Sequence, residues 1–271
     1  MPWKVGIYLS SISSKIISSP EKAHDRAYFD AHILHRNINI TNIVTSATGK
    51  GLLIDWELSI DCTSFRPTVR AAFSLHALGL ISFIFLQGTW ECMSAAVLSD
   101  PSQIQTIEDD RESAVHVLML LALRYINHHE LDRVVSAYLS VYNQIDHQLS
   151  DGIITGGLYK GDRFASSMFP TFTSDPLNRI FSVLNKTFSA RYTEAYSDEA
   201  IKQARDVVAQ AERNPAMDPT IMYYYYQLAP YTYGSRLEAL VKPKWLVEVL
   251  NEHLESDDWP SCDKAAVNSL N

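Results

Sequence analysis

His35-Arg36-Asn37, then Asn42, then Asp55-Trp56-Glu57 at the end of an apolar run combine residue types and spacings that suit phosphoryl transfer. That chemistry relies on positioning and charge neutralisation, and a short hairpin can deliver an amide and a carboxylate to a divalent cation on the phosphates. A further acid orients the attacking hydroxyl. Asn37 lies within this set, and its neutral amide keeps the reach of a carboxylate but has no basic lone pair to accept a proton. Each element is common singly, so the order and spacing of the set carry the signal.

These residues need particular elements to position them. Ser19-Pro20-Glu21 reads as an N-cap, a proline at the first helical position and an acid in the first turn, opening a helix that runs to about His32. Asn42-Ile-Val-Thr45 and Leu52-Leu-Ile54 are β-prone runs around the turn Ala47-Thr-Gly-Lys-Gly51. They predict a small hairpin with Asn42 at the start of one strand and Asp55 at the end of the other, side by side. From Thr106 the acidic start Glu108-Asp109-Asp110 leads into Val115 and Val117-Leu-Met-Leu-Leu-Ala-Leu123, apolar almost all round, which predicts a central helix buried on most faces.

Helical spacing continues from His129 to His147, from a cap at Asp175-Pro176, from Ser197 to Arg213 and from Ser235 to Glu255, the last interrupted at Pro243. Everything after residue 100 is expected to be helical. Tyr223 to Tyr226 is expected to be partly buried packing, because the basic neighbours of a base-stacking platform are missing. The chain is thus expected to divide into an irregular segment 1–18, one mainly α lobe 19–255 carrying the β-hairpin, and a flexible tail 256–271.

Composition narrows the function classes. The 271 residues are 46% hydrophobic and 20% charged, an ordinary globular balance that supports a sizeable core. A formal net charge of -8, with no Lys/Arg run, argues against nucleic acid and against membrane as partners. Cys62, Cys92 and Cys262 are far apart, odd in number and without metal spacing, which fits bland thiols in a reducing compartment. Met1 to Ile17 lacks the apolar core and cleavage site of a signal peptide, so an intracellular placement, cytoplasmic or nuclear, is expected. Ala71 to Gln87 carries no formal charge and sits at the short limit for a membrane span.

The motif order extends beyond the opening set. The protein-kinase pattern is His-Arg-Asp, four residues, Asn, then an Asp-Phe-Gly-type triplet. Leu34-His-Arg-Asn-Ile-Asn39, Leu53-Ile-Asp-Trp-Glu-Leu58, Gly88-Thr-Trp-Glu-Cys-Met-Ser-Ala-Ala96 and Glu108-Asp-Asp-Arg-Glu-Ser113 follow in sequence, with Thr155-Gly-Gly-Leu-Tyr-Lys160 and Asp175-Pro-Leu-Asn178 beyond them. Over about residues 20 to 195 the chain resembles the fungal-type protein kinase family, whose hallmarks are His-Arg-Asp-Ile-Ser, Ile-Asp-Trp-Asp/Glu-Leu, Gly-Thr-Trp-Gln-Phe-Met-Ser and Glu-Asp-Asp-Leu-Glu-Ser.

The resemblance implies a protein-kinase-like helical C-lobe and ATP-dependent phosphoryl transfer to Ser or Thr of a protein, with ATP and Mg²⁺ as cofactors. It makes Asp55 the ligand of the phosphate-bridging Mg²⁺ and Asn42 the ligand of a second. Asn37 takes the place of the catalytic Asp next to Arg36, and Thr89 belongs to the peptide-substrate loop. His35 and Trp56 become packed structural residues, and Asp110 the anchor of the catalytic-loop backbone. Two alternatives stand beside it. A small-molecule kinase of the choline or aminoglycoside phosphotransferase type also uses an Asp-Trp-Glu-like metal loop, and a pseudokinase scaffold would bind a partner without catalysis. Gly88-Thr-Trp and the acidic helix start favour the protein-kinase branch.

Departures from the family pattern set the expected activity. Asn37 removes the proton acceptor, and no Gly-x-Gly-x-x-Gly or Val-Ala-x-Lys occurs, so the nucleotide-clamping N-lobe is expected to be missing and the chain to be inactive or weakly active. Residues 69–87 interrupt the activation segment with an apolar run. Val69-Arg70 can be coded by a 5′ splice signal and Phe83-Ile-Phe-Leu-Gln87 by a pyrimidine tract ending in CAG, so the run reads as a retained intron. Its excision would restore Arg66-Pro-Thr-Gly-Thr-Trp.

Overall fold

Helix α1 (Leu9–Ala31) begins well before the expected start and carries Pro20 in its interior. The computed structural model describes residues 9–47, 50–63, 90–100, 102–126, 132–148, 154–254 and Trp259. A proline inside a helix removes one backbone hydrogen bond and normally stops it. Here Ser18, Pro20, Glu21, His24 and Asp25 face inward from the same helix, and tertiary packing of that face holds the helix through the proline. The segment 1–18 is therefore not wholly irregular, and Ser19-Pro20 is not the helix start. At the other end His32 adopts a left-handed conformation, φ 58°, which stops α1 and turns the chain toward His35.

The described residues are mainly helical, with three two-stranded antiparallel sheets among them. β1 (Ile33–Leu34) pairs with β4 (Ile60–Asp61). β2 (Ile43–Thr45) and β3 (Gly51–Leu53) form a hairpin with Ile43 opposite Leu53 and Thr45 opposite Gly51. β5 (Ile145–Gln148) pairs with β6 (Ile154–Gly156). That last pair corrects the expectation of uninterrupted helix after residue 100. The stretch from His129 to His147 is helical only over α4 (Asp132–Ser140) among its described residues, then passes through a single turn of 3-10 helix into β5.

Between the β4 and α4 segments lie α2 (Ala95–Ser99) and α3 (Ile107–Tyr125). α3 is the strut of the core. Thr106 and Asp109 close a capping box at its start, and the residues from Asp109 to Leu120 are all buried, so polar and apolar faces alike are covered. Ile38 of the loop before the hairpin and Leu53 of β3 join Val117, Leu118 and Leu120 in one apolar cluster with Leu184, Phe188 and Leu250.

α5 (Leu158–Ser166), α6 (Asp175–Phe188), α7 (Asp198–Glu212), α8 (Pro219–Tyr226), α9 (Ala229–Val241) and α10 (Trp245–Leu254) complete the described order. Ser174, not Asp175, is the N-cap residue of α6. α9 starts before Ser235, and the break near Pro243 is the junction where Lys244 takes φ 63° ahead of α10. The tyrosine cluster forms α8, which has no buried residue, and Tyr223 and Tyr224 are 60% and 67% exposed. Partly buried packing is thus overturned for this cluster: the helix lies on the surface, and only Tyr225 among the four is half-buried.

Candidate functional site

The site is built where the end of α1, the hairpin and the start of α3 meet. Asp110, in the first turn of α3, is fully buried and its carboxylate is surrounded by donors. The backbone N–H of His35 donates to Oδ2 at 3.0 Å, and that of Arg36 to Oδ1 and Oδ2 at 3.0 and 3.1 Å. Gln105 Nε2 lies 3.1 Å from Oδ1 and His24 Nε2 2.9 Å from Oδ2. Two consecutive amides aimed at one carboxylate force the chain into a tight turn, and Arg36 accordingly has φ 68°.

His35 is locked as a structural ring. Its Nε2 donates to the Ile54 carbonyl at 3.1 Å and its Nδ1 accepts from the Asn37 backbone N–H at 3.2 Å, which fixes the neutral tautomer with the proton on Nε2. Burial pushes its pKa below the ordinary histidine value, in keeping with that neutral form. Trp56 packs edge to face against it with ring centroids 4.5 Å apart, while Trp56 Nε1 donates to the Leu53 carbonyl at 3.1 Å.

The hairpin brings its ends together. Ile54 N–H donates to the Asn42 carbonyl at 2.9 Å, so the residue after Ile54 starts beside Asn42. Asp55 then takes φ 64°, which an aspartate tolerates better than most residues, and its side chain turns toward the loop. Asn37 Nδ2 and Asn42 Nδ2 both donate to Asp55 Oδ2, at 3.1 and 3.2 Å. Asn42 Nδ2 also donates to the Asn37 carbonyl at 2.9 Å. Asn37 and Asn42 are buried, 8% and 6% exposed, whereas Asp55 is exposed.

Of the residues singled out by sequence, His35, Arg36, Asn37, Asn42, Asp55, Trp56 and Asp110 converge here. Thr89 and the apolar run 69–87 lie outside the described residues, as does Cys262. Cys62 is exposed and Cys92 buried, and burial raises the Cys92 thiol to about 12, leaving it an unreactive neutral group at ordinary pH. No described helix is long and apolar enough to cross a membrane.

Three features were not visible in the spacing. Asn39 caps the 3-10 turn Ile40–Asn42: its Oδ1 accepts from Thr41 N–H at 2.9 Å and Asn42 N–H at 3.1 Å, while its Nδ2 donates to Asn37 Oδ1 at 2.9 Å. The motif Asn-x-x-Asn is its trace in the sequence. Behind Asp110 sits a buried group from α1. Glu21 is fully buried without a hydrogen-bond partner for either carboxylate oxygen, and His24 Nδ1 lies 3.8 Å from its Oε2. Burial drives the Glu21 carboxyl up to about 7. Burial alone would lower the His24 pKa, but its hydrogen bond and charge contact with Asp110 outweigh that, and the net shift is upward.

The third feature is a second buried network at the same helix start. Glu112 accepts from Ala95 N–H, Arg191 and the Tyr192 hydroxyl at 2.7, 2.7 and 2.5 Å, and Asp109 accepts from Ser94 and Arg191 at 2.7 Å each. Burial opposes ionisation of Glu112, but Arg191 foremost holds it down at about 2. Lys160, also buried, donates from Nζ to the carbonyls of Trp90, Glu91 and Met93 at 2.8, 3.0 and 3.1 Å. Asp109, Glu112 and Asp110 thus let one acidic helix start organise both the Asn37 loop and the segment around α2.

A divalent cation can be tested against these positions. No group of three or more His, Cys, Asp or Glu suited to a metal occurs among the described residues. Asn42 Nδ2 is committed to two acceptors, which leaves Oδ1 as its ligand atom, and no described group donates to Asp55 Oδ1. Two such oxygens are too few to cage a divalent cation, so a Mg²⁺ here would take most of its shell from water or from other ligands.

Compared with known proteins, the chain matches no family model, no curated protein and no solved structure.

Proposed function

We propose that this chain is the helical lobe of a protein-kinase-like phosphotransferase, most similar in its motifs to the fungal-type protein kinases, with a loop altered from phosphoryl transfer toward binding. The observation that carries the reading is the single buried carboxylate of Asp110 receiving the backbone N–H groups of His35 and Arg36, with Asn37, Asn42 and Asp55 drawn together in front of it. Asn42 and Asp55 would hold Mg²⁺ on the phosphates of ATP, whose charge the cation neutralises. Asn37 stands where a proton acceptor is needed and cannot serve as one, so transfer to a protein Ser or Thr is slow or absent.

Thermal unfolding with and without ATP and Mg²⁺ tests this. A nucleotide-dependent rise in midpoint that Asp55→Ala abolishes is the expected result; no rise in the wild type sinks nucleotide binding. One observation favours a scaffold as the second reading. Leu52, Ile54 and Leu58, beside the Asp55 pair, are 50%, 41% and 48% exposed, an apolar surface that suits a partner protein.

A further inference from the structure

Asn37 has both ends of its side chain committed inside the loop. Its Nδ2 donates to Asp55 Oδ2 at 3.1 Å and its Oδ1 accepts from Asn39 Nδ2 at 2.9 Å. Asn42 supplies a second amide to the same Asp55 oxygen at 3.2 Å, and Asn39 orients Asn42 by accepting its backbone N–H at 3.1 Å. Through these bonds the three asparagines and Asp55 form one connected network, in which Asp55 is the carboxylate. Among the described residues no Lys, Arg or His forms an ion pair with Asp55. Its charge is met by amide donors and solvent.

A carboxylate at position 37 in the same rotamer would face Asp55 at about the same separation, with one of the two groups buried. Like charges that close cannot both stay ionised unless a cation sits between them. With an acid at this place, one of the two carboxyls would have to take up a proton, turn away or share a cation, and the amide of Asn37 removes that choice.

We propose that Asn37 is a built-in counter-group for Asp55: with Asn42 it supplies through two amide donors what a divalent cation would otherwise supply, so that the loop keeps its form without metal. Asn37 is then a positioning residue: it and Asn42 both donate to Asp55 Oδ2, and no described group donates to Oδ1. The inference rests on the cation-site reading of Asn42 and Asp55, but it does not require phosphoryl transfer or nucleotide binding.

The test is thermal unfolding of the full chain in EDTA and in millimolar MgCl₂ for the wild type, Asn37→Asp and Asn37→Ala. The wild type is expected to unfold at the same midpoint in both. Asn37→Asp is expected to unfold about 3–6 °C lower in EDTA and to recover at least half of that loss in Mg²⁺. Asn37→Ala is expected to lose stability equally in both conditions, since it removes the donor without adding a charge. A wild type that gains as much from Mg²⁺ as Asn37→Asp overturns the proposal, as does an Asn37→Asp chain with wild-type stability in EDTA. Should Asn37→Asp fail to fold in EDTA, far-UV circular dichroism after Mg²⁺ addition makes the same comparison, and failure to fold with Mg²⁺ counts against the proposal. If ATP gives no shift while the Mg²⁺ pattern holds, the nucleotide reading fails and this one stands.

Discussion

Asp110 Oδ2 accepts the backbone N–H of His35 at 3.0 Å across 75 residues of chain, and through this contact the buried helix α3 sets the path of the Asn37 loop. Removing the acceptor strands that amide, the Arg36 amide and the His24 ring together. Asp110→Ala is expected to lower stability by about 3–5 kcal/mol, the range for breaking a buried charged pair by deleting one partner. Asp110→Asn should cost less, because one oxygen remains to accept. Urea unfolding measures both, and an unchanged midpoint for Asp110→Ala would remove Asp110 as the anchor.

Stability should carry a pH signature from the group behind Asp110. Glu21 is raised from its ordinary 4.5 to about 7, and His24 is raised above 6.5, so the folded state holds both protons more tightly than the unfolded chain does. The Glu21 contribution is fully present below pH 4.5 and lost as pH rises through about 7; that of His24 is present below 6.5 and lost above its raised folded value. Glu21→Gln removes the first of these. The variant should gain on the order of 2 kcal/mol over wild type at pH 8 and little at pH 4. Calorimetric midpoints across that range check it, and a gain independent of pH would show that Glu21 is not the titrating group.

Lys160 points the other way. Burial lowers its pKa from 10.5 to about 7, so the unfolded chain binds that proton more tightly, and the stability it contributes is present above 10.5 and lost as pH falls through about 7. Lys160→Met leaves the carbonyls of Trp90, Glu91 and Met93 without their donor, at a cost of about 2–3 kcal/mol near neutral pH. The gap between wild type and variant should widen from pH 7 to pH 9 in urea titrations. A gap that narrows contradicts the assignment.

Backbone geometry gives a contrasting pair of glycines. Gly157 has φ 92°, and a Cβ there would stand 2.6 Å from the Ala95 carbonyl oxygen and 2.9 Å from Ala95 Cα. Gly161 has no such backbone neighbour; its nearest contact is the edge of Tyr192 at 3.0 Å. Gly157→Ala is expected to cost more than about 2 kcal/mol, and Gly161→Ala distinctly less. Equal losses for the two would show that the close approach of Gly157 to α2 is not constraining.

What the sequence determined by itself is local. The apolar run from Val115 to Leu123, flanked by Thr106 and Asp109, specifies α3 because cap and period lie within one helix. The two β-prone runs around a glycine turn specify the hairpin, and with it the approach of Asn42 to Asp55. Pro20 misled the reading of α1, since a local breaker is outweighed only by burial against elements far along the chain. β5 and β6 went unseen because Ile145 and His147 find their partners at Gly156 and Thr155, across a pairing that no helical period encodes.

The site divides in the same way. The letters His35, Arg36, Asn37, Asn42 and Asp55 are legible in order, and Asn37 alone says that no carboxylate is available at that position. Only the tertiary structure decided what Asn37 does instead, which is to turn its amide onto Asp55 and its oxygen onto Asn39. Burial of Glu21 and His24 against Asp110, and of Arg191 against Asp109 and Glu112, was likewise settled there. A charged residue in a sequence is read as solvated by default, and desolvation depends on packing that brings together groups about 80 residues apart.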